Sequence, residues 1–122
     1  MKSSRLVIVP LAFSLSLLGA TTVHLELTAS FPRADAELET APSEIWLEFS
    51  AEPDLEQTGF LVRGPDGFLE LGEIQVGENP ETIQAAVNDA MPRGDYQVSW
   101  TAAPVDDHSV RGRFSFTVGE AR

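Results

Sequence analysis

The sequence predicts an all-β domain, a seven-stranded Greek-key β-sandwich or barrel of the immunoglobulin-like kind. Short runs alternate apolar and polar side chains at period 2, and turn signals separate these runs about every ten residues. No stretch carries a convincing helical pattern: Gln84 to Met91 has some helical propensity, but Pro80 and Pro92 enclose it. The length of 122 residues suits one domain.

The first half of the chain contains three predicted strands. The first ends near Pro32, and polar and apolar side chains alternate along His24, Leu25, Glu26, Leu27, Thr28 and Ala29. The second, Glu44 to Ser50, has one apolar face, formed by Ile45, Leu47 and Phe49. The third, Thr58 to Arg63, leads into a tight turn at Gly64-Pro65-Asp66-Gly67.

Four further strands are predicted in the second half. Phe68 to Val76 is expected to return as a strand broken at Gly72, and Thr82 to Val87 as a weaker one. Asp95 to Ala102 places Tyr96, Val98 and Trp100 on one face. The last strand has the clearest alternation in the sequence, with one apolar face formed by Phe114, Phe116 and Val118.

The N-terminal segment is typical of a secretory signal peptide. Lys2 and Arg5 precede an uncharged apolar run, Leu6 to Ala20, which with Pro10 inside it is marginal for a membrane span of about 20 residues. We therefore expect residues 1–23 to be a signal peptide, cleaved between positions 20 and 23, and residues 24–122 to form the exported domain.

The exported domain is strongly acidic. The 102 residues after position 20 carry 19 acidic side chains and 6 arginines, a formal net charge of −13. Such a surface repels nucleic acid and anionic lipid and attracts cations. The chain has no cysteine, which excludes disulfides, thiolate metal sites and thiol catalysis.

Few side chains can carry chemistry. His24 and His108 are the only histidines, no lysine follows position 20, and neither histidine lies in a serine-hydrolase setting. In a sandwich, the chain start and a late loop can lie at the same end, so that both imidazoles and the Asp106 carboxylate converge. Such nitrogen-rich ligands suit Cu(II), while nickel and zinc would bind less tightly. Alternatively, Asp106 and Asp107 are only turn residues and His108 a surface histidine.

Four blocks of sequence follow one another along the exported chain. They are His24-x-x-Leu27-x-x-Ser30-x-Pro32, Ala41-Pro42-Ser43-Glu44-Ile45-x-Leu47-x-Phe49-Ser50, Gly94-x-Tyr96-x-Val98-x-Trp100, and Asp106-x-His108-x-Val110-x-Gly112-x-Phe114-x-Phe116-x-Val118. Each block is weakly specific alone, but together they span nearly all of the exported chain, and in this order they resemble the CopC family of periplasmic copper-binding proteins.

The resemblance implies a seven-stranded Greek-key barrel or sandwich and a Cu(II) site. Carried over by position, the ligands are His24, with its α-amine if it begins the exported chain, Asp106 and His108. The implied function is a periplasmic copper carrier or buffer, not an enzyme, monomeric, with a CopD-type membrane copper transporter as a possible partner. Two alternatives stay open: a structural immunoglobulin-like module of the cell envelope, and an oxygen-activating copper site at an N-terminal histidine.

Three departures from the family pattern matter. Val23 is a poor residue to precede a signal cleavage site, and cleavage after Ala20 would leave His24 fourth in the exported chain, too far from the α-amine for the two to share one chelate ring. Met91 is the only methionine after position 20, so we expect no methionine-rich Cu(I) site. Pro104-Val105 replaces the usual small pair before Asp106 and should stiffen the loop.

Overall fold

The computed structural model describes residues 25–119, in which nearly all regular structure is β-strand. Its strands are β1 (Leu27–Phe31), β2 (Glu37–Leu38), β3 (Glu44–Phe49), β4 (Gly59–Gly64), β5 (Gly67–Phe68), β6 (Gln75–Val76), β7 (Thr82–Ala86), β8 (Gly94–Ala102) and β9 (Val110–Val118). A 3-10 turn, Leu55–Gln57, lies between β3 and β4. No helix in this part of the chain is long and apolar enough to cross a membrane. The predicted signal peptide and His24 lie outside the described residues.

The strands form two sheets, which confirms the predicted all-β sandwich. One sheet has the order β1-β3-β7-β6 and the other β2-β9-β8-β4-β5. All neighbours are antiparallel except β2, which pairs parallel with β9. The described residues contain two strands more than the predicted seven, because the two-residue strand β2 was not predicted and one predicted strand is divided into β5 and β6, each two residues long. The single strand predicted from Phe68 to Val76 is instead β5 in one sheet and β6 in the other.

The core lies between the sheets and comes from the strands with the clearest alternation. In β3 every second side chain is fully buried, namely Ile45, Leu47 and Phe49. The second sheet contributes from its three central strands the buried side chains of Phe60, Val62, Tyr96, Val98, Phe116 and Val118. Burial of each large apolar side chain contributes about 1.5–3 kcal/mol.

The edge strand β1 departs from simple alternation. Leu25 and Leu27 point inward as predicted, but the pairing with β3 shifts between Leu27 and Ala29. This irregularity brings Ser30 rather than Ala29 into the fully buried position, where its hydroxyl donates to the carbonyl of Pro32 at 2.8 Å. A bulge of this kind bends an edge strand and re-aims its side chains.

Tyr96 ties the second sheet to the preceding loop. Its ring stacks on Phe116 with centroids 5.4 Å apart, and its hydroxyl donates to the carbonyl of Pro92. This bond to the backbone a few residues upstream resembles the tyrosine corner of immunoglobulin-like sandwiches. Burial raises the pKa of the Tyr96 phenol, and repulsion from the Asp66 carboxylate raises this pKa further.

Candidate metal centre

The loop between β8 and β9, residues 103–109, begins with a tight turn. The backbone N–H of Asp107 donates to the carbonyl of Pro104 at 3.3 Å, so Val105 and Asp106 occupy the two central positions. Asp106 has a φ of 62°, in the left-handed region. A positive φ at the third position of a turn favours glycine, but aspartate tolerates it better than most residues. The predicted ligand Asp106 is thus also the residue that allows the turn.

The other predicted ligand follows directly after this turn. The backbone N–H of His108 donates to Oδ1 of Asp107 at 2.7 Å. Asp106, Asp107 and His108 are all exposed, so the carboxylate of Asp106 and the imidazole of His108 are accessible to a solvated ion. Asp107 uses its carboxylate to hold the backbone next to His108.

The loop is anchored at its first residue to the segment between β3 and β4, residues 50–58. The N–H of Asp54 donates to the carbonyl of Ala103 at 2.7 Å, and the N–H of Ala103 donates to the hydroxyl of Thr58 at 3.3 Å. Asp54 also caps the 3-10 turn by accepting from the backbone N–H of Glu56 at 3.2 Å. Both the N–H and the carbonyl of Ala103 are therefore hydrogen-bonded to residues 50–58.

The same segment also holds the first described residues of the chain. Ser50 donates its N–H to the carbonyl of Glu26 at 2.8 Å, and its hydroxyl accepts from the N–H of Glu26 at 3.0 Å. Leu25 is buried in the core, with 4% of its surface exposed. Residues 50–58 thus contact both the start of the described chain and the 103–109 loop, at one end of the sandwich.

Asp106 and His108 together supply one oxygen and one nitrogen donor. No group of three or more His, Cys, Asp or Glu side chains suited to a metal ion occurs within residues 25–119. The third predicted ligand, His24, lies outside that range and directly precedes buried Leu25. The position of His24, and hence the predicted three-residue set, stays a prediction.

Thr58 and Asp54 were not predicted to contribute to this region. Their bonds to Ala103 join residues more than forty positions apart in sequence, and such pairings leave no local pattern. The one local signal is Asp54 itself, because aspartate is a preferred N-cap residue and here it precedes the 3-10 turn Leu55–Gln57.

Comparison with known proteins agrees with this architecture. The family model of the CopC domain matches residues 27–119. Copper resistance protein C from Escherichia coli is 30% identical over 103 residues, which cover 78% of this chain and 81% of the relative. Copper transport protein CutJ from Bacillus subtilis (strain 168) is 27% identical over 125 residues, or 99% of this chain but only 23% of CutJ.

Among solved structures, the crystal structure of PcoC, a methionine-rich copper resistance protein from Escherichia coli, superimposes with a TM-score of 0.71. The two chains are 28% identical, and the match covers 79% of this chain and 99% of PcoC. The family match spans all nine strands, and the structural match reproduces the same sandwich. By sequence and by fold, the chain belongs to the CopC domain family.

Proposed function

We propose that this protein binds copper(II) after export to the periplasm and serves as a copper carrier or buffer in copper resistance or homeostasis. The observation that carries the proposal is the exposed pair Asp106 and His108, two residues apart in an anchored loop. The copper resistance and copper transport proteins among its relatives support the choice of metal.

The proposed ligands are His24, Asp106 and His108. Two imidazoles and one carboxylate favour Cu(II) over the other divalent first-row metals, since Cu(II) stands highest in the order of affinities for such donors. The bonds from residues 50–58 to Glu26 and to Ala103 support the pairing, because they hold the chain next to His24 and the loop carrying the other ligands at one end.

The site is proposed for storage or delivery rather than catalysis. His24 and His108 are the only imidazoles in the chain, so a site that uses both leaves no further histidine to act as a base. Met91, the only methionine after position 20, is buried in the core, so a methionine-rich Cu(I) site is not proposed. A CopD-type membrane copper transporter is the proposed partner, and the protein is proposed to act as a monomer.

A copper titration of the exported protein tests this function. We expect one tight Cu(II) site whose EPR spectrum shows nitrogen hyperfine splitting. Replacing His108 with alanine should lower the affinity by more than the roughly 10–100-fold that loss of an outer-sphere partner costs. Asp107→Asn is the matched control, because asparagine retains an oxygen to accept from the His108 N–H.

The outcome also decides between this function and an immunoglobulin-like structural module. Such a module would bind copper only weakly, and its affinity would not change in either His24→Ala or His108→Ala. Copper-dependent peroxide production by a protein beginning at His24 would instead point to oxygen chemistry and contradict the carrier assignment.

A further inference from the structure

The outer face of the five-stranded sheet carries arginines in an otherwise acidic protein. Residues facing outward in β8 are alternate ones, because Tyr96 and Val98 point into the core. The residues paired with them in β4 and β9 face the same way and include Arg63, Arg111 and Arg113. This side therefore carries three of the five arginines within residues 25–119. We call it the arginine face: Leu61, Arg63, Gln97, Ser99, Thr101, Arg111 and Arg113.

The arginines of this face are free of hydrogen-bond partners in the described part of the chain. The side-chain hydrogen bonds within residues 25–119 use carboxylates, hydroxyls and amides, and none uses a guanidinium. Arg63 lies over the ring of Phe68, 5.2 Å from its centroid. Arg111 and Arg113 are exposed and lie opposite the neutral side chains of Thr101 and Ser99.

A groove of about 880 Å³ runs along this face next to an open sheet edge. Its walls include Leu61, Ile74, Arg111 and Arg113. Strand β5 pairs with β4 at Arg63 and Gly64, and the N–H of Leu69 donates to the carbonyl of Val62 at 2.9 Å, so the open part of this edge is Gly59 to Leu61. Leu61 is 59% exposed there and forms an apolar wall of the groove.

The groove lies at the same end of the sandwich as the 103–109 loop. Its lining residues Thr101 and Arg111 form the pair next to Ala102 and Val110, from which the loop departs. Gln57 and Thr58, from the segment that anchors Ala103, also line the groove. A molecule seated in the groove would therefore lie beside Asp106 and His108.

We propose that the arginine face binds an extended, acidic segment of a partner protein. Arg111 and Arg113 are two positions apart on one strand face, about 6.6–6.8 Å along the chain, and alternate carboxylates of an extended segment have the same spacing. Each guanidinium can hold a carboxylate through two parallel hydrogen bonds. Leu61 supplies the apolar contact beside the two arginines.

The overall charge of −13 does not prevent such binding. At physiological ionic strength exposed charges are screened beyond about 8 Å, so the charges at the contact decide the outcome. An anionic membrane presents a broad negative surface that would also face the acidic remainder of the protein. A second copy brings a further net charge of −13. A single acidic segment brings its negative charge to the groove, where Arg111 and Arg113 outnumber the one lining carboxylate, Glu56.

The test uses the metal-free protein and a ten-residue peptide of alternating glutamate and threonine with blocked ends. We expect the peptide to shift the amide resonances of residues 59–61 and 111–113. The double variant Arg111→Gln/Arg113→Gln should bind it at least about tenfold more weakly, or about 1.4 kcal/mol. The control Arg33→Gln/Arg93→Gln loses the same charge elsewhere and should bind normally.

Several results would overturn the proposal. They are an absence of binding, equal binding of a glutamine–threonine peptide, or equal weakening in the control variant. Binding to phosphatidylglycerol vesicles without peptide binding would identify a membrane instead, and a dimer lost in the double variant would identify a second copy. Because no metal is present, Asp106→Asn/His108→Ala should bind the peptide normally, so this result and that of the copper titration are independent.

Discussion

Gly112 of β9 lies directly opposite Trp100 of β8, and the indole fills the space that a side chain at position 112 would occupy. A Cβ at that position would lie 2.6 Å from Cζ2 of Trp100 and 2.9 Å from its Cε2. The indole in turn packs edge-on against Phe49 of the other sheet, with centroids 5.3 Å apart. Glycine at 112 thus allows an aromatic contact between the two sheets.

We expect Gly112→Ala to lower the free energy of unfolding by about 1–3 kcal/mol, the usual cost of overpacking a filled site. Urea denaturation followed by tryptophan fluorescence measures this change. Gly59→Ala, in β4 of the same sheet, is the matched control, because its Cβ would meet only Ile74 Cγ1 at 3.9 Å. Equal unfolding midpoints for the two variants would show that the indole can move aside without cost.

The long strands were predictable because their burial follows their alternation. Phe116 and Val118 in β9 are buried, and Ser115 and Thr117 between them point away from the core. The crossing between the sheets was not predictable in this way. Leu69 and Leu71 both pack on the core although they lie in the connection between β5 of one sheet and β6 of the other. The alternation of buried and exposed side chains therefore continues through the connection and does not show where the chain changes sheets.

The 103–109 loop was predictable from its residue types but not in its backbone conformation. The Asp106-x-His108 spacing identifies the loop, and the structure shows both side chains exposed within it. The positive φ of Asp106 and the two bonds that hold Ala103 depend on contacts distant in sequence. The β1 irregularity after Leu27 is equally a tertiary effect, since it appears only in the pairing with β3.

Tyr96 should ionise only above its ordinary pKa of about 10. Burial disfavours the phenolate, and the Asp66 carboxylate adds repulsion. Because the folded-state pKa is raised, the stability linked to the neutral phenol is present below pH 10 or so and is lost as pH rises through the folded-state pKa. The absorbance of tyrosinate measures this directly, since Tyr96 is the only tyrosine.

Two controls accompany this alkaline titration. The protein unfolded in urea should titrate near the ordinary pKa, and folded Asp66→Asn should titrate between the unfolded and folded wild-type protein. Because desolvation is the larger cause of the raised pKa of Tyr96, Asp66→Asn should lower this pKa by less than half of its rise. Identical midpoints for folded and unfolded wild-type protein would contradict the buried position of the phenol.

Thr58→Val should loosen the 103–109 loop and weaken copper binding together. Valine has a similar shape but cannot accept from the N–H of Ala103, and Thr58 is buried. An unpaired buried N–H costs about 1–3 kcal/mol. Urea denaturation measures the stability, and amide hydrogen exchange at Ala103 should become faster.

Thr101→Val is the matched control for this change, since Thr101 is exposed on the outer face of β8. It should leave both the exchange at Ala103 and the copper affinity unchanged. If Thr58→Val loses stability but keeps full copper affinity, the anchoring of Ala103 is structural and does not hold Asp106 and His108 for the metal.

Copper affinity should depend on where the exported chain begins. A protein starting at His24 has its α-amine and imidazole on one residue, so both can enter a single chelate ring with the metal. A protein starting at Thr21 keeps the imidazole but moves the amine three residues away. We expect the first protein to bind Cu(II) at least about tenfold more tightly, or about 1.4 kcal/mol, in competition titrations.

His24→Ala made in both proteins separates the amine from the imidazole. If His24 is a ligand, the substitution lowers the Cu(II) affinity of both proteins. The difference in affinity between the two proteins also becomes smaller, because the amine and the imidazole no longer share a chelate ring. Equal affinities of the two unmutated proteins would mean that the amine takes no part. Affinity unchanged by His24→Ala would leave only Asp106 and His108, too few donors for a tight site, and would remove the N-terminal half of the proposed ligand set.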